Sequence, residues 1–358
     1  DKQYDLIIFA LPDSLTLVSS TANIRLESFL FTQQAFESVK AHLAPGGVFV
    51  LYNYYREEWL IAKIDQMLAS TFDSPPILRV FNNRMAIFAA GPQIDALNGG
   101  PPPADSADKV PDVGDPTPKP ATDDWPFLYL RTPFIADHYL AAIGFAFVIA
   151  LFGILGAARL GGTQTRRFSP HFFVLGSAFL LLETRSLVSF SLLFGSTWLV
   201  NALAFFAILA SVLAAIFVNA RLQIRRAGIL YGLLFVALLV AFVLPPESLL
   251  IDPPWLRYLL AGLVAFAPVF LANLVFTYSF RDTRTADMAF ASNLLGAMAG
   301  GALEYVALLT GYRVLLIIVA ALYLLAWLFA TRWRRLADVD LAPESREEWA
   351  GEEEAATV

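Results

Sequence analysis

Residues 138–158 read HYLAAIGFAFVIALFGILGAA, an apolar run without an acidic or basic charge. A helix that spans a bilayer needs about 20 mainly apolar residues, so this run predicts one span. Further candidates follow at 171–194, 198–219, 228–245, 255–279, 287–310 and 312–331. Residues 137–331 are therefore predicted to form an all-α transmembrane bundle of about seven helices in the lipid bilayer.

The composition of the whole chain agrees with a membrane protein and excludes several other classes. Hydrophobic residues make up 57% of the 358 residues, charged residues only 16%, and the mean hydropathy is +0.60. Soluble domains carry about 45–50% apolar and about 25% charged residues. A net charge of −6 gives no support for nucleic-acid binding. The absence of cysteine excludes disulfides and thiolate sites, and three histidines favour no metal site.

Arginine is distributed unequally between the two ends of the predicted bundle. One side carries Arg159, Arg166, Arg167, Arg221, Arg225, Arg226, Arg281 and Arg284, followed after the last span by Arg332, Arg334 and Arg335. The opposite side carries Arg131, Arg257 and Arg313. Because cytoplasmic loops are rich in Lys and Arg, the C-terminus is predicted to be cytoplasmic. With seven spans the N-terminal domain would lie outside, and one miscounted span reverses that side.

Residues 1–91 have the pattern of a soluble α/β domain. Residues 4–10 and 48–52 are short runs that are apolar on both sides, as buried parallel strands require. Helical spacing covers 25–43 and 57–72, and Pro45-Gly46-Gly47 is predicted to end the first of these helices.

A hairpin is predicted to complete this domain, with strands at 77–81 and 85–89. Alternating strands and helices predict a Rossmann-like parallel sheet with helices on both faces, to which the hairpin adds one antiparallel strand. Ligands of such sheets bind beyond the carboxyl ends of the strands, here at 10–13 and 52–55.

Two segments lack the pattern of a folded domain. Residues 92–136 are rich in Pro, Gly and Asp, and the part from 98 to 119 is predicted to be a mobile linker. This region ends in the sequence TDDWPF at 122–127. The tail, 332–358, is charged and mostly acidic, and is predicted to be solvated disorder.

Several motifs along the chain resemble one family. Tyr4-Asp5-Leu6-Ile7-Ile8, Asp13, Leu30-Phe31-Thr32 and Leu43-Ala44-Pro45-Gly46-Gly47-Val48 resemble the later half of the spermidine synthase fold, a methyltransferase-like Rossmann sheet. The sequence at 122–127 is similar to the family's Thr-Asp-Asp-x-Pro motif. Leu193-Phe194-Gly195-Ser196-Thr197 resembles the Phe-Gly-Ser-Thr junction in bacterial multi-pass inner-membrane proteins fused to such a domain.

The resemblance implies an aminopropyl transferase, in which an amine attacks the propyl carbon of decarboxylated S-adenosylmethionine. Two aspartates of an Asp-x-x-Asp turn hold the amine, and one accepts its proton. Here that turn reads Ala10-Leu11-Pro12-Asp13, so the resemblance leaves Asp13 as the one candidate catalytic carboxylate. The nucleotide-binding half of the sheet would precede Asp1. Decarboxylated S-adenosylmethionine or S-adenosylmethionine is therefore implied only for a longer chain, and no cofactor for this one.

The residues that the resemblance implies for a polyamine or another small amine all have structural alternatives. These residues are Asp13, Tyr52, Asn53, Asp123 and Asp124. Asp13 alternatively hydrogen-bonds its own turn, Asp123 and Asp124 cap the segment before Trp125, and the aromatic residues near 52–55 pack.

Charges inside the predicted spans are costly and therefore informative. Glu183 and Arg185 are two residues apart, so they point about 200° apart on a helix and need partners on other helices. The candidates are Asn201, Asn273, Asn293 and Glu304. Asn293, Gly296, Gly300 and Glu304 form one helical stripe suited to close helix approach. A pair between Arg185 and Glu304 would be structural, or would belong to a polar path for a cation or a proton.

Two functions remain open at this point. The first is a membrane-anchored transferase that uses an S-adenosyl donor. The second is a non-catalytic membrane sensor or transport-associated protein with a degenerate synthase-like domain, which the missing carboxylate at Ala10 favours.

Overall fold

The computed structural model divides the chain into two compact units. The first comprises residues 1–140, 187–203 and 305–314, and the second comprises 141–186, 204–304 and 315–358. The structure describes residues 2–10, 28–55, 57–81, 84–92, 94, 116–160, 168–194, 198–222, 226–244, 246–249, 251, 253–281 and 286–339. Asp13, most of the predicted mobile linker and most of the acidic tail lie outside the described residues.

A four-stranded mixed sheet forms the centre of the first unit. Its strands are β1 (Tyr4–Ala10), β2 (Leu43–Tyr54), β3 (Ile77–Phe81) and β4 (Met85–Ala90), in the spatial order β1-β2-β4-β3. Strands β1 and β2 are parallel, and β4 is antiparallel to both β2 and β3. The predicted hairpin and its single antiparallel strand are therefore confirmed.

The first helix is shorter than the sequence predicts, and glycine does not end it. A 3-10 turn at Ser28–Phe31 precedes α1 (Gln33–His42), and the chain enters β2 directly at Leu43 in an extended conformation. Gly47 serves a close approach instead, because a Cβ there would lie 2.7 Å from the carbonyl oxygen of Tyr4 on β1. Helix α2 (Glu58–Phe72) lies where helical spacing predicts it.

Both described helices cover the same face of the sheet. The ring of Phe49 on β2 lies 6.0 Å from that of Phe36 on α1 and 6.5 Å from that of Phe72 on α2. On the other face Leu6 and Ile8 are about half exposed, at 53% and 51%. The expectation of helices on both faces is wrong for the described residues. Successive crossovers from β1 to β2 and from β2 to β3 move in one direction, and right-handed crossovers then place both helices on one side.

The C-terminal part of the chain is helical. Its helices are α3 (Asp137–Leu160), α4 (Pro170–Phe194), α5 (Trp198–Leu222), α6 (Ala227–Val243), α7 (Pro254–Arg281), α8 (Ala286–Leu303), α9 (Ala307–Thr310) and α10 (Tyr312–Val339). Within the described residues, six segments are long and apolar enough to cross a membrane. They are Asp137–Gly156, Pro170–Phe194, Ala202–Arg221, Trp255–Arg281, Met288–Thr310 and Tyr312–Thr331.

Helix α6 corresponds to the predicted span at 228–245 and has 17 residues, fewer than the six longer segments. Its direction nevertheless follows from its neighbours. The Nδ2 of Asn273 on α7 donates to the Ser211 hydroxyl on α5 over 3.2 Å, and eight residues further along each helix Asn219 and Arg281 line one cavity. Helices α5 and α7 therefore run parallel, so α6 must return the chain between them. Seventeen residues rise about 25 Å, near the lower limit for a span.

Helices α4 and α8 give the same result independently. Phe173 lies against Gly296, and four residues later Ser177 lies against Gly300. These two helices also run parallel. The chain that joins them must therefore run from one end of the helices to the other an odd number of times. Helices α5, α6 and α7 supply three passes only if α6 is one of them.

Candidate functional site

The described residues of the TDDWPF region are ordered by contacts within the first unit. We call residues 119–131 the clasp. Its ends are joined where the Lys119 N–H donates to the Arg131 carbonyl oxygen over 2.9 Å. Ala121, Trp125 and Leu128 are each at most 1% exposed. The described part of the predicted linker is thus part of the fold, because its aromatic and aliphatic side chains find a core to enter.

Lys63 on α2 holds one end of the clasp. Its side chain is 1% exposed, and its ammonium group donates to the backbone oxygens of Phe127, Leu128 and Leu130 over 3.2, 2.9 and 3.0 Å. A lysine ammonium has three donors, so the three carbonyls use all of them. The contact fastens the second half of the clasp to α2.

The cations around Trp125 define the electrostatics of this site. The Lys63 and Lys119 nitrogens lie 5.2 and 4.5 Å from the centroid of the Trp125 ring. Burial, and secondly the charge of Lys119, lowers the pKa of Lys63 from 10.5 to about 7. The ring face favours both cations, whereas their mutual repulsion disfavours two charges at once.

Asp123 joins the clasp to the start of α1. Its carboxylate accepts from the Thr32 hydroxyl over 2.5 Å, and its backbone N–H donates to the Gln34 side chain over 3.0 Å. Thr32 is also the N-cap of α1, where its oxygen accepts from the Ala35 N–H over 3.2 Å. Asp123 therefore supports the capping residue of this helix.

Asp124 caps a different helix, the first turn of α10. Its carboxylate accepts from the Arg313 N–H over 2.6 Å, and its carbonyl oxygen accepts from the Tyr312 N–H over 2.9 Å. A negative charge is favoured at the start of a helix. The neighbouring Gly311 has φ +96°, and a Cβ there would lie 2.6 Å from the other carboxylate oxygen. The cap thus depends on a glycine at 311.

Trp125 adds a further bond to the same region, since its indole N–H donates to the Leu308 carbonyl oxygen over 2.8 Å. The sequence also allowed that Asp123 and Asp124 cap the segment before Trp125. In the structure the Thr122 hydroxyl forms that contact, since it accepts from the backbone N–H of Trp125 over 3.1 Å.

The residues at the carboxyl ends of β1 and β2 do not share one face. Ala10 and Tyr52 are paired in the parallel ladder, on the open face. Asn53 lies on the helix-covered face, is 3% exposed, and accepts from the Tyr54 N–H over 2.8 Å. Asp13 lies outside the described residues. A hollow of about 350 Å³ in this unit adjoins Tyr4 and His42 instead, away from these strand ends.

The predicted glycine stripe on α8 is a helix contact in the second unit. A Cβ at Gly296 would overlap the Phe173 carbonyl on α4, and one at Gly300 would overlap that of Ser177. A Cβ at Gly176 on α4 would likewise overlap the carbonyl of Asn293. The Ser177 hydroxyl lies 2.8 Å from the Gly296 oxygen, to which it can donate. Without side chains at these positions, the two backbones approach closely.

The structure places the other intramembrane polar residues only in part. Glu183 and Arg185 on α4 are half-buried. Glu304 is 7% exposed and begins the 3-10 turn Glu304–Val306, where the helical period of the stripe ends. Its pairing with Arg185 stays a prediction. The side chain of Asn201 lies outside the description.

Sequence reasoning missed several buried polar residues, among them Lys63, His171 and Asn219. Lys63 interrupts an apolar run on α2, which was the available signal. His171 on α4 is 8% exposed, and its Nδ1 and Nε2 lie 2.9 Å from the Ala326 carbonyl oxygen and 3.1 Å from the Ser279 hydroxyl. It thereby joins three helices, α4, α7 and α10. Among the described residues no group of His, Asp and Glu is arranged to hold a metal ion.

Neither a protein family model, nor a curated protein, nor a solved structure matches the chain. The likeness to spermidine synthase-like membrane proteins therefore rests on the motifs quoted above.

Proposed function

We propose that this is a non-catalytic, multi-pass membrane sensor. In it, a degenerate synthase-like α/β domain transmits its state to helix α10 through the clasp. The observation that carries the proposal is the cap that Asp124 forms on the first turn of α10. A ligand that moved the clasp would withdraw this cap, and the start of α10 would respond.

The engagement of the two acidic residues also supports this function over catalysis. Asp123 is hydrogen-bonded by Thr32, and Asp124 by the backbone of Arg313. An amine substrate would have to displace these contacts, and position 10 offers it no carboxylate. A binding event that alters Asp123 or Asp124 would instead act on α1 and α10 directly.

The direction of the helices bears on the same choice. If α6 crosses the membrane, the C-terminal ends of α5 and α7, which carry Arg221 and Arg281, lie on one side of the membrane. The first turn of α10 then lies on the opposite side. The positive-inside rule then assigns those ends and the C-terminus to the cytoplasm. The clasp would lie outside, for instance beyond a bacterial inner membrane. S-adenosyl donors are cytosolic, so a transferase there would lack its donor.

The cap is tested with Asp124→Ala in the full chain reconstituted in bilayers. We expect amide hydrogen exchange to become about tenfold faster, both in the clasp and in the first turn of α10, because losing a cap costs about 1–2 kcal/mol. Asp137→Ala, at the first turn of α3, is the matched control and should affect only that helix. Unchanged exchange in the clasp would show that the two elements are not coupled.

Catalysis and topology are tested separately. Incubation with decarboxylated S-adenosylmethionine and putrescine should give no spermidine. Calorimetry should show no heat that depends on the presence of both compounds. Formation of spermidine would overturn the non-catalytic function. A Ser106→Cys variant should react with an impermeant maleimide from outside the membrane, and protection there would place the domain in the cytoplasm.

A further inference from the structure

A cavity of about 760 Å³ lies between the C-terminal ends of α5 and α7, within the second unit. Most of its wall is apolar, with Ile216 from α5 and Phe276 and Phe280 from α7. The polar side chains in its described lining are Asn219, Thr277 and Arg281. Volumes of about 300–1,000 Å³ are typical of small-molecule sites.

Asn219 has an acceptor that the described protein does not use. The residue is 8% exposed, and its Oδ1 is buried with no hydrogen-bond partner among the described residues. A buried acceptor that is left unpaired destabilises the folded protein, because it has lost its hydrogen bonds to water. The position therefore gains from a ligand that carries a hydrogen-bond donor. The Thr277 hydroxyl donates to the Asn273 carbonyl over 2.9 Å, so its oxygen can accept as well.

Arg281 supplies a positive charge to the same cavity. It is the last residue of α7 and of the candidate span Trp255–Arg281, which places it at the level of the headgroups. Its guanidinium carbon lies 5.3 Å from the centroid of the Tyr278 ring. The described lining contains no carboxylate that would oppose an anion or pair with an ammonium group.

We propose that this cavity binds an anionic glycerophospholipid whose headgroup carries free hydroxyl groups. The phosphate contacts Arg281, a headgroup hydroxyl donates to the Oδ1 of Asn219, and an acyl chain follows Phe276 and Phe280. The positive charge of the wall favours an anionic phosphate group, and its acceptors favour a hydroxyl donor. The apolar wall at the end of two spans favours a lipid over a soluble phosphate.

The first test compares lipids on the unaltered full chain in phosphatidylcholine nanodiscs. Retention is measured by native mass spectrometry with phosphatidylglycerol, or with phosphatidic acid, which has the phosphate but lacks the headgroup hydroxyls. We expect phosphatidylglycerol to be retained about tenfold better than phosphatidic acid, which corresponds to one hydrogen bond. Equal retention of the two lipids would overturn the proposal, and so would competition by soluble glycerol phosphate.

The second test uses variants in the same nanodiscs. Asn219→Leu should abolish the preference for phosphatidylglycerol over phosphatidic acid, while Arg281→Gln should abolish the preference of both anionic lipids over phosphatidylcholine. Arg221→Gln is the matched control, because Arg221 lies in the last turn of α5 and does not line the cavity. If Arg221→Gln weakened retention as much as Arg281→Gln, the selectivity would be that of a charged annulus and the site would be refuted.

Discussion

The helix–sheet core of the first unit and the α4–α8 contact of the second are held together in opposite ways. The first unit inserts large rings between its elements, and Phe49 alone contacts Phe36 and Phe72. The α4–α8 contact removes side chains, so that Gly296 and Gly300 lie directly on the α4 backbone. In water, the burial of apolar side chains stabilises a fold through the hydrophobic effect. Lipid tails are as apolar as leucine, so helices in a bilayer are stabilised by close van der Waals packing instead.

Two buried polar groups, one in each unit, differ in whether the described protein satisfies them. In the first unit Lys63 finds one carbonyl for each of its three donors. In the second unit the Oδ1 of Asn219 is buried with no partner among the described residues. Lys63 is therefore part of the architecture of the first unit, whereas the unused acceptor of Asn219 is one basis of the proposed lipid site.

The strongest way to break this comparison is a methyl group at the close contact. Gly296→Ala should destabilise the bundle by about 3 kcal/mol, since the added Cβ overlaps the Phe173 carbonyl and neither backbone can yield cheaply. Reversible unfolding in mixed micelles measures the loss. Gly262→Ala on α7 is the matched control, because a Cβ there meets nothing within 4 Å. A loss of similar size at both positions would contradict the role of the contact.

Removing the cation from the clasp should have the next largest effect. Lys63→Met keeps an apolar stem of similar length but leaves three buried carbonyls without their donor, at a cost of about 2 kcal/mol. Urea unfolding of the full chain, followed by hydrogen exchange in the clasp, measures this loss. Lys2→Met, at an exposed position, should leave the stability unchanged. Full protection of the clasp in Lys63→Met would refute the fastening role.

The same lysine should make stability depend on pH. Its pKa is about 7 in the folded protein and 10.5 in an unfolded chain, so between these values the unfolded chain binds more protons. The free energy of unfolding should therefore rise from pH 7 towards pH 10. Urea titrations at several pH values should show this slope in the unaltered chain and a smaller slope in Lys63→Met. An identical slope would exclude Lys63 as its source.

The smallest expected effect concerns Asp65 on α2. Burial raises the pKa of this half-buried carboxyl from 3.8 to about 6, so its charged form costs stability above pH 6. Asp65→Asn should stabilise the chain at pH 7 by about 1 kcal/mol, since partial exposure to solvent screens the penalty. The gain should vanish below about pH 3, which lies under both pKa values, because the carboxyl is then neutral in the folded and in the unfolded state. A gain of the same size in Asp5→Asn, at an exposed position, would indicate a general effect of charge.

Local pattern was enough for elements whose environment is uniform. Helix α2 and the β3–β4 hairpin follow from periodicity, and long apolar runs identify the spans. Helix α1 was predicted too long because a 3-10 turn and the Thr32 cap replace its first turns. The glycines after it suggest a positive φ, but Gly47 is required by the carbonyl of Tyr4, which no local pattern reveals.

Part of the candidate site was evident in the sequence, but the contacts of its residues were not. The motif at 122–127 was evident, yet its partners Thr32, Lys63 and Arg313 are distant in sequence. The sequence shows that a lysine, a glycine stripe and an amide occur in these helices. Which carbonyl, helix or cavity each one meets depends on how remote segments come together.

The sequence by itself determined that this chain carries an α/β region and a set of apolar helices, because period and length are local properties of side chains. Only the tertiary structure decided that α1 and α2 cover one face of the sheet and that Asp124 caps α10. It also decided that α5 and α7 run parallel. The physical reason is that hydrogen bonds and close backbone contacts are pairwise, and their second partner lies up to 189 residues away.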